Sequence, residues 1–204
     1  MGAIVILGGG LIGGAIGALF DDPKKNKLGV LGMQTAGKTR FLSFLRNVPF
    51  KEQAAGRVAY NEFKYKLKNN KEITILAGVD IAGGNIFRNN YDEILQSSDV
   101  ILYFFDINRY LKNELDEDGI LYQRSCNSRF EHIYSQIKIS NKPVIIIATH
   151  KDHVSFSENE MKFKFDTLIQ NGNKAYKEML QNIHYVNLTS ASETKNLIEK
   201  IFNS

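Results

Sequence analysis

Gly32-Met33-Gln34-Thr35-Ala36-Gly37-Lys38-Thr39 (GMQTAGKT, residues 32–39) decides how the rest of the chain is read. Its spacing is G-x-x-x-x-G-K-[ST], and it stands between an apolar run, KLGVLG (27–32), and a helical pattern, KTRFLSFLRN (38–47). The physical logic is anion binding. Successive backbone N–H groups and a helix N-terminus converge on one point, and glycines let the main chain approach closely. Set around a nucleotide, the stretch from Gly32 through Gln34, Thr35, Ala36 and Gly37 to Arg40 would wrap the β-phosphate. Lys38 would reach the β- and γ-phosphates, and the Thr39 hydroxyl would bind Mg²⁺.

Outward from this loop, short apolar runs alternate with helical patterns. VAYNEFKYKL (58–67) alternates with period two, as an edge or half-exposed strand does. EITILAGVD (72–80), DVILYFFDIN (99–108) and PVIIIATH (143–150) are nearly continuous apolar runs, which suit parallel strands buried on both faces by helices. HYVNLTS (184–190) is a shorter run, and Thr194 to Phe202 closes the chain as an amphipathic helix. The pattern predicts an α/β fold, a mostly parallel sheet of about six strands with helices on both faces. The aromatic strand residues Tyr103, Phe104 and Phe105 belong to its core. Ligands of such sheets lie at the carboxyl ends of the strands, so the chemistry is sought just after each run.

Three further stretches sit there. Asp80-Ile81-Ala82-Gly83 ends the third run, where a carboxylate can hold Mg²⁺ and the Gly83 N–H can face a γ-phosphate. Thr149-His150-Lys151-Asp152 follows PVIIIA. An aspartate there accepts two hydrogen bonds from guanine N1 and N2, a donor pair that adenine lacks. Thr189-Ser190-Ala191 follows the last run. Each is weak alone, and their order at successive strand ends carries the inference.

In that order the four stretches resemble the motifs of the Ras-like small GTPases. With Ala36 before Gly37-Lys38-Thr39, the phosphate loop is most similar to the Arf-like group and the beta subunit of the signal recognition particle receptor. The resemblance covers residues 27–204. It implies a P-loop fold, binding of GTP and GDP with Mg²⁺ held at Thr39 and Asp80, and base contacts from Thr149, His150, Asp152, Ser190 and Ala191. It also implies a switch that recruits a protein effector or activating partner. Three departures bear on mechanism. Residues 48–68 contain no Thr or Ser to bring onto Mg²⁺ and the γ-phosphate. Gly84 stands after Gly83, where the family has the Gln that orients the attacking water. His150 stands where the family has a Lys that packs over the base, and the neighbouring Lys151 reads as a solvated lysine. Gly84 has no side chain for transition-state electrostatics, so slow unaided GTP hydrolysis is expected, or a nucleotide-bound scaffold without useful hydrolysis.

The chain has 204 residues with a net charge of +4, its lysines scattered among acids rather than gathered in the basic stripe that nucleic-acid binding requires. One cysteine, Cys126, excludes an internal disulfide. Residues 1–26 are set apart. Gly2 to Phe20 is an uncharged apolar run ending at DDPKKNK (21–27). GGGLIGG within it fits the dinucleotide fingerprint, but the next run leads into the phosphate loop instead of the acidic ribose ligand that fingerprint needs. As a helix it would span about 28 Å, enough for a bilayer core, with Lys24, Lys25 and Lys27 keeping the remainder cytoplasmic. The glycine ridge of Gly9, Gly13 and Gly17 lets helices approach closely, as in membrane pairs. The many glycines also dilute the hydrophobicity and lower helix propensity, which leaves a soluble assembly helix or a segment packed on the domain as the alternative. NELDEDG (113–119) forms an acidic loop, read as a solvated surface or a partner site.

Overall fold

The computed structural model describes residues 27–50, 58–66, 70, 72–80, 86–140, 142–170, 177, 179–181 and 183–202. The apolar segment 1–26, and Gly83 and Gly84 with their neighbours, lie outside these residues. Among the described residues no helix is long and apolar enough to cross a membrane.

Eight strands are present among the described residues: β1 (Lys27–Gly32), β2 (Val58–Tyr60), β3 (Phe63–Lys66), β4 (Glu72–Ile75), β5 (Gly78–Asp80), β6 (Val100–Asp106), β7 (Val144–Thr149) and β8 (Ile183–Tyr185). Six of them form one sheet in the order β3-β4-β1-β6-β7-β8, and β2 pairs with β5. Only the β3–β4 and β2–β5 pairings are antiparallel. The helices are α1 (Lys38–Leu45), α2 (Ile86–Ser97), α3 (Ile107–Lys112), α4 (Tyr122–Ser140), α5 (Glu158–Gln170) and α6 (Ala191–Phe202).

Every residue of β6, VILYFFD, is buried. Successive side chains of a strand point to opposite faces, so the sheet is covered on both sides. Phe104 packs against Phe41 of α1 with centroids 5.1 Å apart and the rings tilted by 52°, and Phe105 meets Phe130 of α4 and Phe165 of α5 at 5.5 and 5.6 Å. Tyr103, Phe104 and Phe105 are fully buried, as the sequence predicts.

The chain departs from β1 in both directions across the sheet, toward β4 on one side and β6 on the other. The carboxyl end of β1 is therefore the switch point at which an open α/β sheet leaves a crevice. The loop that follows β1 is GMQTAGKT.

The expected strand boundaries change in three places. VAYNEFKYKL divides at the exposed pair Asn61 and Glu62, residues poorly suited to a pleated surface, and EITILAGVD divides opposite them. The register still carries through, with Tyr60 opposite Gly78 and Phe63 opposite Ile75. The alternating exposure of β3 fits its place at the sheet edge. DVILYFFDIN ends as strand at Asp106, whose carboxylate accepts from the Arg109 N–H at 3.0 Å and starts α3. The last helix begins at Ala191 rather than Thr194, because the Ser190 hydroxyl accepts from the Glu193 N–H at 3.3 Å.

Candidate nucleotide site

The phosphate loop is held by close backbone packing. A Cβ on Gly32 would stand 2.3 Å from the Phe104 carbonyl oxygen, and the Met33 N–H donates to that same oxygen at 2.8 Å. Thr35 and Gly37 take left-handed backbone angles, φ 57° and 80°, which turn the chain into α1. Helix α1 has no side-chain cap at Gly37 and no acidic residue in its first turn, so its N-terminal dipole is open to an anion.

Lys38 is 5% exposed, and its Nζ donates to the carbonyls of Gly32 and Met33 at 3.1 and 2.5 Å. A buried ammonium held by two neutral carbonyls at the rim of the loop suits contact with an anion. Thr39 and Arg40 are half-buried on the first turn. The Arg40 guanidinium lies over the Phe50 ring at 4.2 Å. Gln34 is half-buried, and its Oε1 is buried without a hydrogen-bond partner.

The other strand ends meet this loop. The buried Thr149 hydroxyl donates toward the carbonyls of Ala36 and Phe105 at 3.2 and 3.1 Å, tying the end of β7 to the phosphate loop. Leu188 stands so close that a Cβ on Gly37 would meet its Cδ1 at 2.6 Å, which places the Thr189-Ser190-Ala191 stretch beside the loop. Thr189 is exposed, and Ser190 and Ala191 start α6. Asp80 ends β5, opposite Val58 of β2.

His150 takes the left-handed angle φ 58°. Its Nδ1 lies 2.9 Å from the Thr149 hydroxyl and 3.3 Å from Asp106 Oδ2, an ion pair when the imidazole is protonated. Asp152 lies in the following 3₁₀ turn, exposed, its Oδ2 3.6 Å from His153 Nε2. Lys151 corrects the sequence reading. Far from solvated, it pairs with Glu193 at 2.8 Å and Glu158 at 3.7 Å, bridging the β7 end to α5 and α6.

Three residues at the site were not singled out by the sequence. Asp106 caps α3 and meets His150; the D-I-N-R spacing is a cap signal legible in hindsight. Arg109 donates to the Thr35 hydroxyl at 3.2 Å, to Glu117 at 2.8 Å and to the Leu115 carbonyl at 2.9 Å. The acidic loop is therefore partly tied to the phosphate loop rather than merely solvated. Tyr91 of α2 bonds Gly32, a contact between segments far apart in sequence that no local pattern announces.

The buried Lys38, the open N-terminus of α1 and the Gly37 cradle that a Cβ would fill fit the phosphates of a nucleotide, and Thr39 beside them fits a hard cation bound to those phosphates.

No family model matches the chain. It is 30% identical over 150 residues to the signal recognition particle receptor subunit beta of Dictyostelium discoideum, an alignment covering 72% of this chain and 48% of that one. Its fold matches Era of Aquifex aeolicus, solved with GDP·AlF4⁻ bound, with TM-score 0.57 at 18% identity, covering 86% of this chain and 55% of Era. It also matches translation elongation factor SelB of Methanococcus maripaludis, in complex with the GTP analogue GPPNHP, with TM-score 0.51 at 20% identity over 88% of this chain and 34% of SelB.

The chain belongs to the Ras-like GTPases.

Its G domain has the α/β sheet and phosphate loop of that group, with receptor subunit beta as a curated relative. The chain spans about half the length of that relative.

Proposed function

We propose that this G domain is a guanine-nucleotide switch with slow intrinsic hydrolysis, tethered to a membrane through residues 2–20 and recruiting a protein partner when loaded with GTP. The observation that carries the reading is the meeting of the end of β7 and the turn after β8 at the phosphate loop: the Thr149 hydroxyl bonds the Ala36 carbonyl at 3.2 Å, and Leu188 closes on Gly37. In this reading Gly32, Gln34, Thr35, Ala36, Gly37 and Arg40 line the phosphates with Lys38. Thr39 and Asp80 hold Mg²⁺, and the Gly83 N–H faces the γ-phosphate. Thr149, His150, Asp152, Ser190 and Ala191 form the base pocket, with Asp152 selecting guanine. Kinship to a receptor subunit supports a protein partner and a membrane setting.

Slow turnover follows from Gly84, which offers no side chain to orient water, and from the absence of Thr and Ser in residues 48–68. The same two features favour the second reading, a scaffold that keeps its nucleotide unhydrolysed.

One preparation tests these points. The protein is purified without added nucleotide, the co-eluting nucleotide identified, and phosphate release measured with GTP and ATP. Retained GDP with slow GTP turnover supports the switch, and retained intact GTP supports the scaffold. Preference for ATP, or rapid unaided GTP hydrolysis, contradicts the proposal. Release of the full-length protein from membranes by carbonate, without detergent, rules out an integral tether.

A further inference from the structure

Helix α2 is seated on β1 at two levels. At the lower one Gly29 has no room for a side chain: a Cβ would lie 2.7 Å from Ile94 Cγ2 and 3.0 Å from Ser98 Cβ. At the upper one the buried Tyr91 hydroxyl both accepts and donates. The Gly32 N–H donates to it at 2.9 Å, and it donates to the Gly32 carbonyl at 3.0 Å. That carbonyl is also an acceptor for Lys38 Nζ, at 3.1 Å.

The residue that opens the phosphate loop is therefore held from α2 by both of its backbone polar groups, and its carbonyl helps to seat the loop's lysine. Gly32 cannot shift toward the sheet to compensate, since Phe104 backbone atoms stand against it. Displacing α2 from β1 would withdraw the hydroxyl, leaving the Gly32 carbonyl with Lys38 and with the Met33 N–H bond that ties the same peptide to Phe104. Helix α2 directly follows the Asp80–Gly83 stretch.

We propose that the Tyr91 hydroxyl is a positioning group for nucleotide retention, fixing the Gly32 carbonyl that seats Lys38, so that the docking of α2 on β1 sets how firmly the phosphates are held. This rests on the GTPase reading above.

The test uses the full chain loaded with N-methylanthraniloyl-GDP and chased with excess GDP. Tyr91→Phe keeps the ring and removes only the hydroxyl. It is expected to speed release by roughly five- to tenfold, the worth of about one net hydrogen bond. Gly29→Ala, three residues down β1 from Gly32 and away from the loop, wedges α2 outward and is expected to speed release as well. Because both act through the seating of one helix, the double variant is expected to release more slowly than the product of the single effects predicts. In the nucleotide-free chain, the Gly32 amide is expected to exchange faster with solvent in Tyr91→Phe than in the parent.

A Tyr91→Phe variant that melts lower yet releases nucleotide at the parental rate has lost only stability, and overturns the proposal. Fully multiplicative effects of the two substitutions overturn the coupling through α2. A parent protein that binds no guanine nucleotide overturns the GTPase reading itself, a result distinct from either.

Discussion

At the residue scale, three glycines with positive φ separate causes that sequence inspection merges. Gly119 (φ +74°) faces open space, Gly37 (φ +80°) faces the Cδ1 of Leu188, and Gly32 (φ +150°) faces the Phe104 main chain at 2.3 Å. Alanine at Gly119 costs only the left-handed backbone, about 1–2 kcal/mol. At Gly37 it adds a contact that a leucine tip can partly relieve by turning. At Gly32 it meets backbone atoms that have nowhere to go. The expected order of destabilisation in urea unfolding is Gly32→Ala, then Gly37→Ala, then Gly119→Ala, and a Gly119→Ala loss as large as that of Gly32→Ala would contradict it. The motif's glycines were legible in the sequence. The reason behind each was not, because Phe104 of β6 and Leu188 of the turn after β8 approach from distant parts of the chain.

At the element scale, Asp106 joins the end of β6 to the start of α3. Its carboxylate accepts from the Arg109 N–H, and its own N–H donates to the Tyr122 hydroxyl at 2.9 Å. Asparagine preserves an N-cap acceptor, whereas alanine removes it. Asp106→Ala is expected to lose about 1 kcal/mol more than Asp106→Asn in equilibrium unfolding. Equal losses would mean that the His150 contact, rather than the cap, accounts for the stability Asp106 provides. The element pattern shows where sequence reading succeeds and where it stops. The uninterrupted apolar run of β6 announced a doubly covered strand, and every residue of it is buried. VAYNEFKYKL also announced its half-exposed face; its break at Asn61 and Glu62 separates β2, paired with β5, from β3, paired with β4. Lys151 read as solvated because neither carboxylate that holds it is its neighbour in sequence.

At the scale of the whole molecule, the ionisable groups give stability a definite pH dependence. Burial, and after it the Lys200 ammonium, hold the His184 imidazole below its usual value. The unfolded chain then binds the proton more readily than the folded one, so stability falls as pH drops below about 6.5 and through the lower folded value. Glu158 is held below the usual carboxylate range, chiefly by its bond from Lys162. Burial would raise Glu193 and Asp116, but bonds from Lys151 and the Asn187 amide, and from Ser125 and the Ile120 and Asp118 amides, hold both lower. These depressed carboxylates contribute fully above their unfolded values, and that contribution is lost as pH falls through the folded ones. Urea midpoints measured from pH 8 to 3 are expected to decline in two stages, and His184→Gln to flatten the upper one. An unchanged upper stage in that variant would assign the decline to another group.

The sequence by itself determined the α/β class, the burial of β6 and the phosphate loop. Those features rest on local periodicity and on the spacing of glycines around one lysine, which a linear string records directly. The structure alone decided that Thr149 ties to the Ala36 carbonyl, that Asp106 meets His150, and that Tyr91 clasps Gly32. Each of these is a hydrogen bond or ion pair whose strength falls steeply with distance and angle, and only the fold brings the partners within reach.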